Sequence, residues 1–220
     1  MHFSVEKLNI INKRIKEIIY TKQLKISPNI IAVSKTFPIE NMLPLLEAGH
    51  MHFGENKLQE AEEKWKNIRK KYNKLQLHMI GKLQSNKAKK AVSLFDYIHS
   101  LDSKKLANKI NQYQKELNKN VKLFIQINFE KESQKSGISI NELDDFYSYC
   151  TKSLSLNIIG LMCLPPINLN PDEYFKNLSL CAKKINLNDL SMGMSSDYEA
   201  ALRYGSTYLR LGTIIFGQRN

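Results

Sequence analysis

The chain has 220 residues, 42% of them apolar, with 33 basic against 21 acidic side chains and a formal net charge of +12, enough material for an α/β barrel with a sizeable core. Its three cysteines, Cys150, Cys163 and Cys181, lack any C-x-x-C spacing, which argues against a disulfide framework or a cysteine zinc site and fits a reducing cytoplasm. No apolar stretch reaches the length of a membrane span, charged residues interrupt the first twenty positions, and the basic clusters Arg69-Lys70-Lys71 and Lys87 to Lys90 hold no interleaved aromatics, so the expectation is a soluble, unexported protein with a solvated lysine-rich surface rather than a nucleic-acid or membrane binder.

Apolar residues at Val5, Leu8, Ile11, Ile15, Ile18 and Ile19 fall at helical spacing behind Ser4, which is placed to cap the helix. Ile30 to Val33 is a run of small and β-branched residues that reads as a strand buried on both faces, and Pro38 stops it. Ile39 to Ala48 reads as a helix, with Gly49 placed to end it in a left-handed conformation. Met51 to Phe53 is a short strand closed by Gly54. Lys57 to Tyr72 reads as a helix in which Glu60 precedes Lys64 and Glu62 precedes Lys66 in the favoured acid-first order.

A strand over Leu75 to Ile80 follows, then Tyr97 to His99, a helix over Lys104 to Leu117, a strand over Val121 to Asn128, a helix over Asn141 to Thr151 and a strand over Asn157 to Met162. Pro171 opens a further helix in the first-turn position that proline tolerates. Leu190 to Met192 and Thr207 to Leu211 are strands separated by a helix over Asp197 to Tyr204. Eight strands alternating with helical segments predict a (β/α)8 TIM barrel, expected as a single domain over residues 1–220. A doubly wound open sheet is the rival, because periodicity does not distinguish an open sheet from a closed one.

Lys35 stands where the first strand opens into a loop. Desolvation there lowers an amine's pKa and favours its attack on a carbonyl, which makes Lys35 a Schiff-base candidate; the alternative is a solvated strand-end lysine. Barrel chemistry sits at the C-terminal strand ends, with phosphate sites after strands seven and eight. Those loops read Met192-Gly193-Met194-Ser195-Ser196-Asp197 and Arg210-Leu211-Gly212-Thr213. Each pairs a glycine with hydroxyls beside a helix start, the composition of an anion cradle, although Ser195 or Ser196 capping a helix is the plainer reading. His50 and His52 lack a third ligand for a metal, and His78 is either a barrel-mouth or a core histidine.

Ala32-Val33-Ser34-Lys35-Thr36, His52-Phe53-Gly54-Glu55-Asn56 with Gln59-Glu60, His78-Met79-Ile80-Gly81 with Leu83-Gln84-Ser85-Asn86-Lys87, Gly160-Leu161-Met162, Leu190-Ser191-Met192-Gly193-Met194-Ser195 and Arg210-Leu211-Gly212-Thr213-Ile214-Ile215-Phe216-Gly217 together resemble the pyridoxal-phosphate homeostasis protein family. The similarity runs in order from about residue 30 onward. It implies the barrel of alanine racemase's N-terminal domain, carrying pyridoxal 5′-phosphate (PLP) on a lysine without an established catalytic reaction. On this resemblance Lys35 is that lysine, Ser195, Gly212 and Thr213 hold the phosphate, Arg210 approaches the pyridine nitrogen and Asn56 lies beside the ring. Ser196 is a less direct match, since the family's serine aligns with Ser195. The departures are Lys82, where many members have proline, and the stretch Pro165 to Asn170, which bears on loop detail only.

An arginine against the pyridine nitrogen stays charged and only donates hydrogen bonds, so it disfavours a protonated ring and restrains carbanion chemistry without forbidding it. Alanine racemase, as the resemblance implies, takes a tyrosine from a second domain, and a chain ending at Asn220 is expected to leave no room for one. The reading is a cytoplasmic PLP store that delivers cofactor to PLP-dependent apoenzymes. The alternative is a small PLP enzyme such as an amino-acid racemase or lyase, with its second base among the ten tyrosines.

Overall fold

The computed structural model describes residues 1–130, 136–166 and 168–218. β1 (Asn29–Val33), β2 (His52–Glu55), β3 (Gln76–Met79), β4 (Tyr97–Leu101), β5 (Lys122–Asn128), a two-residue β6 (Ile138–Ser139), β7 (Ile158–Met162), β8 (Asp189–Ser191) and β9 (Tyr208–Leu211) are all parallel to their neighbours. Eight of them close a ring in chain order, with β9 pairing back onto β1. β6 lies outside it, hydrogen-bonded to the end of β5 through Ile127 and Ile138. The closed form therefore prevails over the open sheet. Closure leaves the eight-stranded ring without an edge, and each stave can be apolar on both faces.

Side chains fill the barrel rather than leaving a pore. Ile31, Tyr97, Phe124, Met162 and Tyr208 form an inner cluster. The outer faces of the strands pack under α1 (Phe3–Thr21), α2 (Leu43–Glu47), α3 (Leu58–Trp65), α4 (Ile68–Lys71), α5 (Ala88–Leu94), α6 (Lys104–Glu116), α7 (Leu143–Ser148), α8 (Pro171–Lys184), α9 (Tyr198–Arg203) and α10 (Thr213–Phe216). All eight expected strands are present, and Gly49 takes φ +88° at the end of the α2 region. Among the described residues no helix is long and apolar enough to cross a membrane.

Helix ends differ from expectation for local reasons. α1 starts one residue before Ser4, because the His2 ring nitrogen accepts the Ser4 N–H and takes the capping role. The segment expected as one helix over Ile39 to Ala48 is a 3₁₀ turn, Ile39–Asn41, followed by α2 with Pro44 in its first turn, where proline's missing N–H costs nothing. Asn141 to Thr151 likewise divides into a 3₁₀ turn, α7 and a π turn over Tyr149–Ser153. Lys57 to Tyr72 breaks at Lys66 and Asn67 into α3 and α4. Ile167, inside the Pro165 to Asn170 stretch, lies outside the described residues.

The acid-first pairs expected on α3 do not form, because other partners, one local and two more distant, take their charges. Glu62 pairs with Lys90, and Glu60 with Lys57. Lys64 turns inward: its Nζ donates to Glu55 Oε1 at 2.7 Å and to the Ser34 carbonyl at 2.8 Å. The same carboxylate oxygen accepts from Trp65 Nε1 at 2.9 Å and from Ser34 Oγ at 2.7 Å. The Glu55 side chain is fully enclosed, and its other oxygen has no partner among the described residues. A buried ion pair is costly to break from one side, because the orphaned charge stays in a low dielectric. Lys64→Met is therefore expected to lower the unfolding free energy by about 3–5 kcal/mol in urea titration, with most of it recovered in Glu55→Gln/Lys64→Met; a loss below about 1 kcal/mol would place the pair among weak surface bridges.

Candidate functional site

β2, β1, β9 and β8 are adjacent staves, and the candidate cofactor residues Lys35, Asn56, Ser195, Arg210, Gly212 and Thr213 all lie on them or on the loops at their C-terminal ends. Lys35 comes two residues after β1. The Ser34 N–H still donates to the Gly54 carbonyl at 3.0 Å, so strand pairing carries the chain to the barrel rim. Thr36 then takes φ +67°, a left-handed conformation that a β-branched residue adopts only under constraint. The Phe37 N–H closes the turn on the Ser34 carbonyl at 3.2 Å, and its ring packs 5.2 Å from Phe216 of α10. Ser34 is tied from below to Glu55 and Lys64, so Lys35 rises from a fixed base.

Asn56 follows β2 directly. A Cβ on Gly81, at the end of the next stave, would sit 2.3 Å from the Asn56 carbonyl, so only glycine allows this approach of two loops. The Asn56 Oδ1 atom is buried and has no partner among the described residues.

The loops after β8 and β9 are joined by one hydroxyl. Ser195 Oγ accepts the N–H groups of Gly212 at 3.2 Å and Ile214 at 3.4 Å. It does not cap α9, which starts after Asp197, and Ser196 is exposed. Gly193 takes φ +91° and accepts the Arg210 N–H at 2.9 Å, which draws the two loops together. Thr213 opens α10 with an exposed side chain. Two main-chain N–H groups converging on one oxygen, with hydroxyls alongside, form an arrangement that suits an anionic oxygen.

Arg210, on β9, is 4% exposed and enclosed by the barrel. Its Nη1 donates to Ser191 Oγ at 2.7 Å and its Nη2 to the Cys163 carbonyl at 2.8 Å. Both partners are neutral. Burial lowers its pKa from the ordinary guanidinium value, and no carboxylate is within ion-pair distance among the described residues. A guanidinium has five N–H donors and no acceptor, so this buried cation still has donors to offer.

His78 is a core histidine rather than a mouth residue: it is fully enclosed, as is His99. Burial pushes both well below the ordinary histidine value, and burial takes His50 down to about 4. Among the described residues no three His, Cys, Asp or Glu side chains gather as a metal cluster. A cavity of about 580 Å³ opens across the mouth at the ends of β3, β5 and β7, lined by Gly81, Gln126, Asn128, Leu164 and Tyr174 among others. It does not include Lys35 or the two glycine loops. Sequence reading missed the Glu55–Lys64 support and the Ser191 and His99 contacts. The available signal was a polar side chain inside an otherwise apolar strand.

The family model described as "Alanine racemase, N-terminal domain" matches residues 12–220. The chain is 38% identical over 212 residues to the "Pyridoxal phosphate homeostasis protein" of Synechocystis sp., covering 92% of this chain and 96% of that protein. It is 37% identical over 201 residues to the protein of the same name from Pasteurella multocida, covering 87% and 86%. The fold superimposes on PipY of Synechococcus elongatus PCC7942 at 34% identity, over 92% of this chain and 100% of PipY, with TM-scores of 0.82 for the form without PLP and 0.81 for the form with PLP bound. With a closed barrel, a strand-end lysine and paired glycine loops already in place, these similarities establish that the chain belongs to the pyridoxal phosphate homeostasis protein family, built on the alanine racemase N-terminal domain.

Proposed function

We propose that this chain is a cytoplasmic, single-domain PLP-binding protein over residues 1–220 that stores the cofactor and delivers it to PLP-dependent apoenzymes. The observation that carries the reading is a buried guanidinium, Arg210, that has no carboxylate in ion-pair contact among the described residues and sits on the same group of four staves as Lys35 and the Ser195 cradle. PLP supplies three groups that match: an aldehyde that forms a Schiff base with an amine, a phosphate, and a pyridine nitrogen. Lys35 would hold the first. Ser195, Gly212 and Thr213 would hold the second, with the hydroxyls and the N–H groups now turned to Ser195 Oγ. Arg210 would donate to the third, and Asn56, with its unpartnered Oδ1, would lie beside the ring.

Gly212 supports this assignment. A Cβ there would meet Val33 only at 3.5 Å, an ordinary contact. Packing does not call for a glycine at this position, and a residue without a side chain lets a phosphate approach the main chain closely. PipY, solved with PLP bound, adds weight. The Arg210 side also favours storage over turnover. A charged guanidinium disfavours protonation of the ring nitrogen and so weakens the ring as an electron sink.

Three outcomes test the reading. Lys35→Ala is expected to fold like the parent yet lose the visible absorbance band of a PLP Schiff base; retention of that band would move the link elsewhere. Ser195→Ala with Thr213→Val is expected to weaken PLP binding by about 1.5–3 kcal/mol per lost charged hydrogen bond and to leave pyridoxal, which has no phosphate, nearly unaffected. Equal losses for both ligands in a titration would rule out the phosphate site. For storage without turnover, the holo-protein incubated with L-amino acids in D₂O is expected to exchange the Cα proton at the rate of free PLP, since a positioned base contributes about 10² to 10⁴-fold. Exchange well above that rate, abolished in Lys35→Ala, would make this chain an enzyme.

A further inference from the structure

From the foot of β2 to Arg210, five polar side chains cross the barrel interior in one line. His52 Nδ1 lies 3.0 Å from His78 Nε2, His78 Nδ1 lies 3.0 Å from His99 Nε2, and His99 Nδ1 lies 2.8 Å from Ser191 Oγ. Ser191 Oγ in turn receives Arg210 Nη1 at 2.7 Å. The residues come from β2, β3, β4, β8 and β9, so barrel closure alone brings them together.

Hydrogen-bond chemistry gives this line one direction. A guanidinium only donates, so the Ser191 oxygen is an acceptor toward Arg210. The single Ser191 proton then goes to its one other neighbour among the described residues, His99 Nδ1. A neutral imidazole that accepts at Nδ1 carries its proton on Nε2. His99 therefore donates to His78, and His78, by the same rule, donates to His52. Neutrality is enforced by surroundings: His78 and His99 are fully buried, and a second cation beside Arg210 would meet repulsion in a low dielectric. The reverse direction would leave the Ser191 proton without an acceptor and require all three rings to change tautomer together.

The rings are also held mechanically. His78 stacks on Tyr97 with centroids 4.2 Å apart, and His99 stacks on Phe124 at 4.3 Å. At the upper end, the Cys163 carbonyl takes Arg210 Nη2, so the guanidinium is fixed at both terminal nitrogens.

We propose that Ser191, His99, His78 and His52 form a one-way hydrogen-bond chain, with each histidine in its Nε2–H tautomer, that positions Arg210 as a preset donor to the ring nitrogen of PLP. This rests on the placement of that nitrogen at Arg210. Ser191 and His99 are positioning residues; they act on the cofactor only through the guanidinium. Because both hydrogen-bond partners are neutral, no carboxylate in direct contact competes with the ring for the guanidinium. A donor held in place beforehand loses little freedom when the ligand arrives.

Two measurements separate the chain from the cofactor placement. In the ligand-free protein, long-range ¹H–¹⁵N correlation of the histidine side chains, assigned with single His→Gln variants, is expected to show His52, His78 and His99 protonated on Nε2, with His78 and His99 neutral at pH 7; Nδ1–H at His99, or a charged His99, would overturn the chain without touching PLP binding. In the second, affinities are compared for PLP and for its 1-deaza analogue, which has carbon in place of the ring nitrogen. The parent is expected to prefer PLP. Ser191→Ala, and His99→Phe, which keeps a flat ring against Phe124, are expected to cut that preference about tenfold while the analogue's affinity stays within about twofold. Equal weakening of both ligands in either variant would reduce Ser191 and His99 to packing residues and overturn the proposal. A parent that binds both ligands equally would instead refute the placement of the ring nitrogen at Arg210, while the tautomers measured in the ligand-free protein would still report on the chain.

Discussion

The parallel pairing of β1 with both β2 and β9 sets the level of everything at the barrel mouth. Ala32 is opposite Phe53 on one side and Leu211 on the other. Three residues past Ala32 stands Lys35; three past Phe53 stands Asn56; one past Leu211 stands Gly212. A slip of one residue in either ladder would exchange the inward and outward faces of a whole stave. It would turn Ile31 out of the inner cluster and Arg210 out of the barrel. Four of the five β1 residues are buried, so a slip would drive side chains of the wrong size into a packed interior. Packing in the core thus fixes the geometry of polar groups at the rim.

Two buried charges sit against this scaffold and are handled differently. Glu55 has its cation inside the fold: Lys64 reaches it, with Trp65 and Ser34 completing one oxygen. That cluster is saturated on the side facing Ser34 and serves to hold the turn that carries Lys35. Arg210 is enclosed as deeply, yet its partners are a hydroxyl and a carbonyl. A fold that needed only stability would do about as well with apolar side chains in place of the Glu55–Lys64 pair, or in place of Arg210. Glu55 is explained by the support it gives to a constrained turn; on the proposed function, Arg210 is explained by what it would offer to a ligand.

The strands were legible because each is a short run rich in apolar residues and bounded by glycine, proline or polar residues, and burial on both faces leaves little freedom to place them otherwise. Their closure was not legible from periodicity; it is visible only in the β9–β1 ladder. Helix ends were read less well, because a ring nitrogen at His2 and a proline at Pro44 changed the local hydrogen bonding. Lys64 shows the limit most clearly. Its i,i+4 neighbour Glu60 is near in sequence, but the buried carboxylate of Glu55 is the stronger partner. Position in the barrel pointed to Lys35, Ser195, Gly212 and Thr213, whereas Asn56 and the role of Arg210 came from family resemblance. Ser191 and His99 lie 92 residues apart and no local pattern joins them.

The central claim is that Lys35 is the residue to which PLP is linked, and the most direct test is chemical. Reducing the PLP-loaded protein with borohydride makes the link permanent, and proteolysis followed by mass spectrometry then finds the modified lysine. The account predicts one phosphopyridoxyl group, on the peptide containing Lys35. Stoichiometric modification of a different lysine, such as Lys57 or Lys87, with Lys35 untouched, would contradict it.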